Sequence, residues 1–159
     1  MKMISVASAL WFALMAGFFF AFSSTVMPGL SLAPAELGMI AMQEINVAVH
    51  NLLFTAGFWV AFALAIAGAV LSVVRRQRGW PLMLLGCLVY LGGVFAVTAT
   101  GNVPLNRELA PMSASISDNL AYWSQFQTDW TLLNHVRMIA AFLAATIVLS
   151  SFLRLDEPA

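Results

Sequence analysis

The architecture this sequence predicts is all-α: a four-helix transmembrane bundle with an additional amphipathic, interfacial helix before the last span. Three observations predict it. Of 159 residues, 62% are hydrophobic and 9% charged, whereas a soluble domain carries roughly a quarter charged residues. Four uncharged apolar runs approach or reach the roughly 20 residues that cross the hydrocarbon of a bilayer. The basic residues fall in alternate connections, as expected when charge sets the orientation of such helices. The length suits one membrane domain, residues 1–159, with little left for a soluble one.

The first run, ISVASALWFALMAGFFFAFSSTV from Ile4 to Val26, is expected to span the membrane and to stop at the MPGL that follows. Lys2 precedes it as in a secretory signal, but the run exceeds the roughly 7–15 apolar residues of a signal. A retained span over 4–26 is the expectation. Pro34 suits the first turn of a helix, and no further proline occurs until Pro81, so one unbroken helix is predicted from Glu36 to the RRQR cluster. Its polar part, 35–49, belongs at the interface or inside protein, and its apolar part, 50–74, in lipid. PLMLLGCLVYLGGVFAVTAT gives a third span over 81–100, and the fourth is expected over about 134–154. Between them the polar segment 102–133 contains DNLAYWSQFQTDW, whose Trp and Tyr predict the interfacial helix.

With four crossings, Lys2, Arg75, Arg76, Arg78 and Arg154 share one side and Arg107 and Arg137 the other. Both termini are then expected in the cytoplasm, with the polar residues of 35–49 and 102–137 gathered on the non-cytoplasmic side. Seven basic residues balance seven acidic ones, so there is no positive field to hold nucleic acid. The single cysteine, Cys87, excludes an internal disulfide and reads as a small core residue.

Polar groups near membrane depth are costly, and a site, a pathway or a mutual network is the usual reason for them. At about 100° per residue, Gln43, Asn46 and His50 share one helical stripe, with Glu44 and Asn51 on a neighbouring face. His50 is the best acid–base candidate, because histidine titrates near neutral pH without special help; a hydrogen-bonded core histidine is the alternative. GNVPLN predicts a fixed turn that ends the third span and aims Asn102 and Asn106, or else two asparagines that only cap and tie loops. In WTLLNHVR, Trp130, Asn134 and Arg137 recur at spacings of four and three on one face, with Trp123 in line. Arg137 needs a partner, which Glu44, Asp129 or an anionic ligand would supply. His135 points about 100° away from Asn134.

MPGL, AMQEIN, HNLLF, GNVPLN, Trp123 and WTLLNHVR, in that order, resemble the anthrone oxygenase-like membrane proteins, a bacterial and fungal group much of which is a domain of unknown function. The resemblance covers nearly the whole chain. It implies a four-helix membrane bundle in, for a bacterial member, the inner membrane. For the fungal members it implies an oxidoreductase that converts an anthrone to an anthraquinone with dioxygen as co-substrate and no evident organic cofactor. Many relatives have Asn-Pro where this chain has Asn51-Leu52, which predicts a straighter second helix here.

Such chemistry needs a base, anion stabilisers and an apolar, water-poor pocket. His50 is the expected base and Arg137 the counter-charge. Gln43, Asn46, Asn102, Asn106 and Asn134 are the expected hydrogen-bond partners of a small planar hydrophobic substrate, and Trp123 and Trp130 its stacking surfaces. Two rivals stand beside this. One is a metal-dependent oxidoreductase with Glu44, His50 and His135 as ligands, although no HxxxH or HxxE pattern is present. The other is a non-enzymatic small transporter or structural subunit whose polar cluster is a structural network.

Overall fold

The computed structural model describes residues 2–154, so residues 1 and 155–159 of the expected domain lie outside it. Among the described residues there are five long helical elements and no strand: α1 (Lys2–Leu32), α2 (Ala35–Ala48), α3 (Leu52–Arg75), α4 (Trp80–Leu109) and α5 (Ser117–Leu153). All but α2 are long and apolar enough to cross a membrane. They pack as a ring in chain order, α1 on α3, α3 on α4, α4 on α5 and α5 back on α1, which leaves α3 diagonal to α5.

Small residues let these helices approach. The interior holds Phe12 stacked on Tyr90 at 4.0 Å, with Met83, Ala141, Ala144 and Val148 around them. Leu10, Leu14, Phe20 and Phe142 face outward, as suits contact with lipid. Where α4 meets α5, a Cβ on Gly93 would collide with the Cβ of Ala140, whereas one on Gly92 meets open space. Neither colliding carbon is the end of a flexible chain, so the helices themselves must separate. Gly93→Ala is therefore expected to cost about 1–3 kcal/mol through overpacking, read as a lower unfolding midpoint in detergent. Gly92→Ala should leave that midpoint unchanged or slightly raised; equal midpoints for the two variants would show that close packing here is unimportant.

Four local expectations are corrected. MPGL does not end the first span: a π-helical turn over Phe22–Val26, closed by Met27 N–H donating to Phe22 O, leads directly into further α-helix with Pro28 in its first turn. The wider turn accommodates a residue that has no N–H to give. The helix stops instead at Ala33, which is extended with ψ 157° ahead of Pro34, the conformation that a following proline favours. Likewise GNVPLN lies inside α4. A π-helical turn over Thr98–Asn102, with Val103 N–H donating to Thr98 O, carries the helix past Pro104 to Leu109.

The unbroken helix expected from Glu36 to RRQR is in fact two, α2 and α3. Asn51 takes an extended conformation, and its side chain replaces the backbone on both sides, Oδ1 accepting from Phe54 N–H at 3.0 Å and Nδ2 donating to Ala48 O at 2.9 Å. A capping asparagine thus breaks the helix without the relatives' proline. Finally, the extra amphipathic helix is α2, after the first span and not before the last. Residues 117–133 belong to α5, because polar side chains without glycine or proline do not interrupt a helix.

The basic residues of the α3–α4 turn and of the end of α5 meet at one end of the bundle. There Gly79 has φ 82°, and a Cβ on it would fall 2.7 Å from Ser151 O. Ser151 Oγ donates to Gly79 O at 3.0 Å and ties the turn to α5. A side chain at 79 would be strained by both conformation and space.

Candidate functional site

Near the opposite end, α5 turns Asn134 and Arg137 toward α1 and α4, burying both (0% and 6% exposed). Asn134 Nδ2 donates to Phe19 O at 2.8 Å and to Ser23 Oγ at 2.7 Å, while its Oδ1 accepts from Arg137 Nη2 at 2.8 Å. Arg137 Nη1 reaches Thr98 Oγ1 at 3.4 Å. The guanidinium carbon lies 4.6 Å from the ring centre of Phe19 and 5.1 Å from that of Trp130, within cation–π range. Ser23 and Thr98 both belong to π-helical turns, a departure from regular helix that is frequent at functional sites.

Neither Glu44 nor Asp129 is Arg137's partner, and among the described residues no carboxylate forms an ion pair with it. Its Nε is buried without a hydrogen-bond partner. The effective cost of burying a charge is several kcal/mol when nothing of opposite sign answers it. One amide oxygen, one hydroxyl and two ring faces offset only part of that. Asn102, one turn from Thr98, is also buried; its Nδ2 donates to Trp130 O at 3.1 Å, and its Oδ1 has no partner. An unanswered donor and an unanswered acceptor therefore belong to one interlocked group.

The other residues singled out from the sequence divide. Asn106 joins the group, its Oδ1 accepting from Trp130 Nε1 at 2.8 Å. Gln43 does not: its Nε2 donates to the carbonyls of Leu109 and Met112 at 2.8 and 2.9 Å and ties α2 to the end of α4. Trp123 is packed among Met39, Met42, Phe126 and Leu109 beneath α2, so it forms no open stacking face. Asn46 is half-buried. His50 is exposed in the α2–α3 connection, at the head of the helix diagonal to α5, and is not among the groups around Arg137. Glu44 and His135 are exposed too. Among the described residues no three His, Cys, Asp or Glu side chains assemble, so Glu44, His50 and His135 do not form one ligand set.

Sequence reasoning missed Phe19, Ser23 and Thr98. Hydroxyls in uncharged runs such as FSST and TATGN usually bond to their own helix, as Thr98 Oγ1 also does to Val94 O at 2.7 Å, so only packing reveals the second contact. Buried polarity is also not confined to this end as the sequence suggested. Ser5, Ser8, Ser72 and Ser151 are buried toward the other end, and Ser72 and Ser151 donate to the carbonyls of Ala69 and Gly79.

The profile of the family described as anthrone oxygenase matches residues 45–147, about two thirds of the chain and the part that contains Asn102, Asn134 and Arg137. No curated protein and no solved structure matches the chain.

Proposed function

This chain belongs to the anthrone oxygenase family, and on that premise we propose that it is a membrane-embedded oxidoreductase acting with dioxygen on a planar phenolic substrate of the anthrone kind. The observation that supports this most is the buried guanidinium of Arg137 with no carboxylate partner among the described residues. An anthrone is acidic at the methylene between its rings, and loss of that proton places negative charge on the ketone oxygen. A fixed cation in a dry interior stabilises such an oxyanion far better than water does. The electron-rich anion then reduces dioxygen. One oxygen atom becomes the new carbonyl, the methylene loses both hydrogens, and the other oxygen atom leaves as water, so the reaction needs no further reductant. No organic cofactor forms part of this proposal.

Within it, Arg137 is the counter-charge, Asn102 and Asn134 orient and hydrogen-bond, and the buried rings of Phe19 and Trp130 hold the guanidinium in place. The basic end, with Lys2, Arg75, Arg76, Arg78 and Arg154, faces the cytoplasm of a bacterial inner membrane, and the Arg137 end lies opposite. Dioxygen uptake by membranes supplied with 1,8-dihydroxyanthrone is the direct test; no enhancement over membranes lacking the protein would overturn the activity.

The proton is a separate matter. Because Arg137 favours the anion, a weak acceptor at the exposed rim suffices, and the exposed His50 stands apart from the guanidinium. His50→Ala is accordingly expected to keep turnover within about threefold of the parent. A loss near the 10²–10⁴-fold that marks a positioned general base would restore His50 to that role.

A further inference from the structure

On the outer side of the seam between α1 and α5 lies a groove of about 530 Å³, distinct from the Arg137 group. Its polar lining is Ser31, Ser124, Gln127, Thr128, Thr131 and His135; Met27, Pro28 and Leu132 make the apolar remainder. The groove is open along its length, so an occupant would lie in it with one face uncovered. Among the described residues no Lys, Arg, Asp or Glu lines it, which suits an uncharged molecule.

The hydrogen-bonding state of the lining is incomplete. Ser31 Oγ donates to Pro28 O at 2.7 Å and Thr128 Oγ1 to Ser124 O at 3.4 Å, so both hydroxyls keep accepting capacity. Gln127 Nε2 is buried without a partner. His135 is exposed and takes part in none of the described hydrogen bonds. A second groove, of about 540 Å³ between α4 and α5, is lined by Leu88, Gly92, Gly93, Val136, Ile139 and other apolar residues, which suits a lipid chain.

We infer that the α1–α5 groove binds the neutral form of a planar aromatic molecule carrying hydroxyl and carbonyl groups at its edge, with the exposed His135 and Thr128 as its hydrogen-bonding partners. The chemistry is complementary along both sides. Imidazole and hydroxyl groups meet the polar edge, and Met27, Pro28 and Leu132 meet the ring. Met27 also belongs to the buried cluster that contains Trp130, whose ring lies against Arg137, so the groove borders the packing that surrounds the cation. The uncharged groove receives the phenol as it partitions from the bilayer surface, and the anion forms only beside Arg137. The inference rests on the proposed function for its choice of ligand, although binding is separable from turnover.

The test is titration of 1,8-dihydroxyanthraquinone, which keeps the planar edge groups but has no methylene to oxidise, into the full chain in phosphatidylcholine nanodiscs, with empty discs subtracted. His135→Ala and Thr128→Trp should each raise the Kd at least tenfold. Leu88→Trp, in the apolar groove, should leave it within twofold. Absence of saturable binding, groove variants that bind as the parent does, or an equal loss in Leu88→Trp would overturn the inference. Dioxygen uptake with 1,8-dihydroxyanthrone, run in parallel on the parent, reports separately on the activity: binding without uptake sinks the reaction and keeps the groove, and uptake with indifferent groove variants does the reverse.

Discussion

Replacing Arg137 by glutamine is expected to lower anthrone-dependent dioxygen uptake by about 10²–10³-fold, the loss that follows removal of one preorganised oxyanion partner. Glutamine removes the charge and leaves an amide on a shorter stem, so a fall in rate with little loss of folded protein, set beside the lysine variant, points to electrostatics. Arg137→Lys should recover only part of the rate. Lysine restores the charge as a compact point but cannot engage Asn134, Thr98 and the rings of Phe19 and Trp130 together. The measurement is uptake per folded protein, normalised by size-exclusion of the detergent-solubilised chain. Uptake by Arg137→Gln within threefold of the parent would show that this cation is structural.

The second large effect is expected at Asn134, where stability and activity can be driven apart. Asn134→Leu removes the two bonds that tie α5 to α1 and the one that holds the guanidinium. Hydrogen bonds between membrane helices are modest individually, about 0.6 kcal/mol on average and up to about 1.7, but here the loss also strands a buried charge. A destabilisation of about 2–4 kcal/mol is expected, seen as a lowered unfolding midpoint.

Asn134→Asp should behave differently. Its carboxylate stands at the 2.8 Å position from which Asn134 Oδ1 accepts from Nη2, and pairs with Arg137 directly. Its second oxygen cannot donate to Phe19 O, but Ser23 Oγ can turn to donate to it and the ion pair answers the buried charge, so the fold should survive better than with leucine; uptake falls as far as in Arg137→Gln, because an internal anion pairs with the cation in place of the substrate. Equal midpoints for the aspartate and leucine variants, or full uptake with aspartate, would refute a requirement for an unpaired cation.

Several of these residues were visible in the linear chain. The spacing Trp130, Asn134, Arg137 needs only helical geometry to become a face, and an arginine inside an apolar run asks for a partner whatever the fold. Asn102 and Asn106 were also placed near that face, although by a turn that does not exist. What the linear chain hid was the answer to Arg137's demand. It offered Glu44, Asp129 or a ligand equally, and only the packing shows that neither carboxylate is its partner. The same applies to His50 and Trp123, which chemistry made attractive and tertiary position sets apart, one exposed in the connection before the diagonal helix and the other covered by α2.

The four spans were legible in the linear chain, because the cost of burying charge in hydrocarbon acts locally, run by run, and run length needs no partner. The linear chain also determined which end of the bundle carries the basic residues. Tertiary structure decided where helices begin and end around proline, since a π-helical turn or a capping asparagine depends on how freed backbone groups are satisfied. It decided as well that Ser23 of α1 and Thr98 of α4 close on Asn134 and Arg137 of α5. Contacts between residues 39 and 111 positions apart follow from which helices become neighbours in the ring, and no local pattern encodes that.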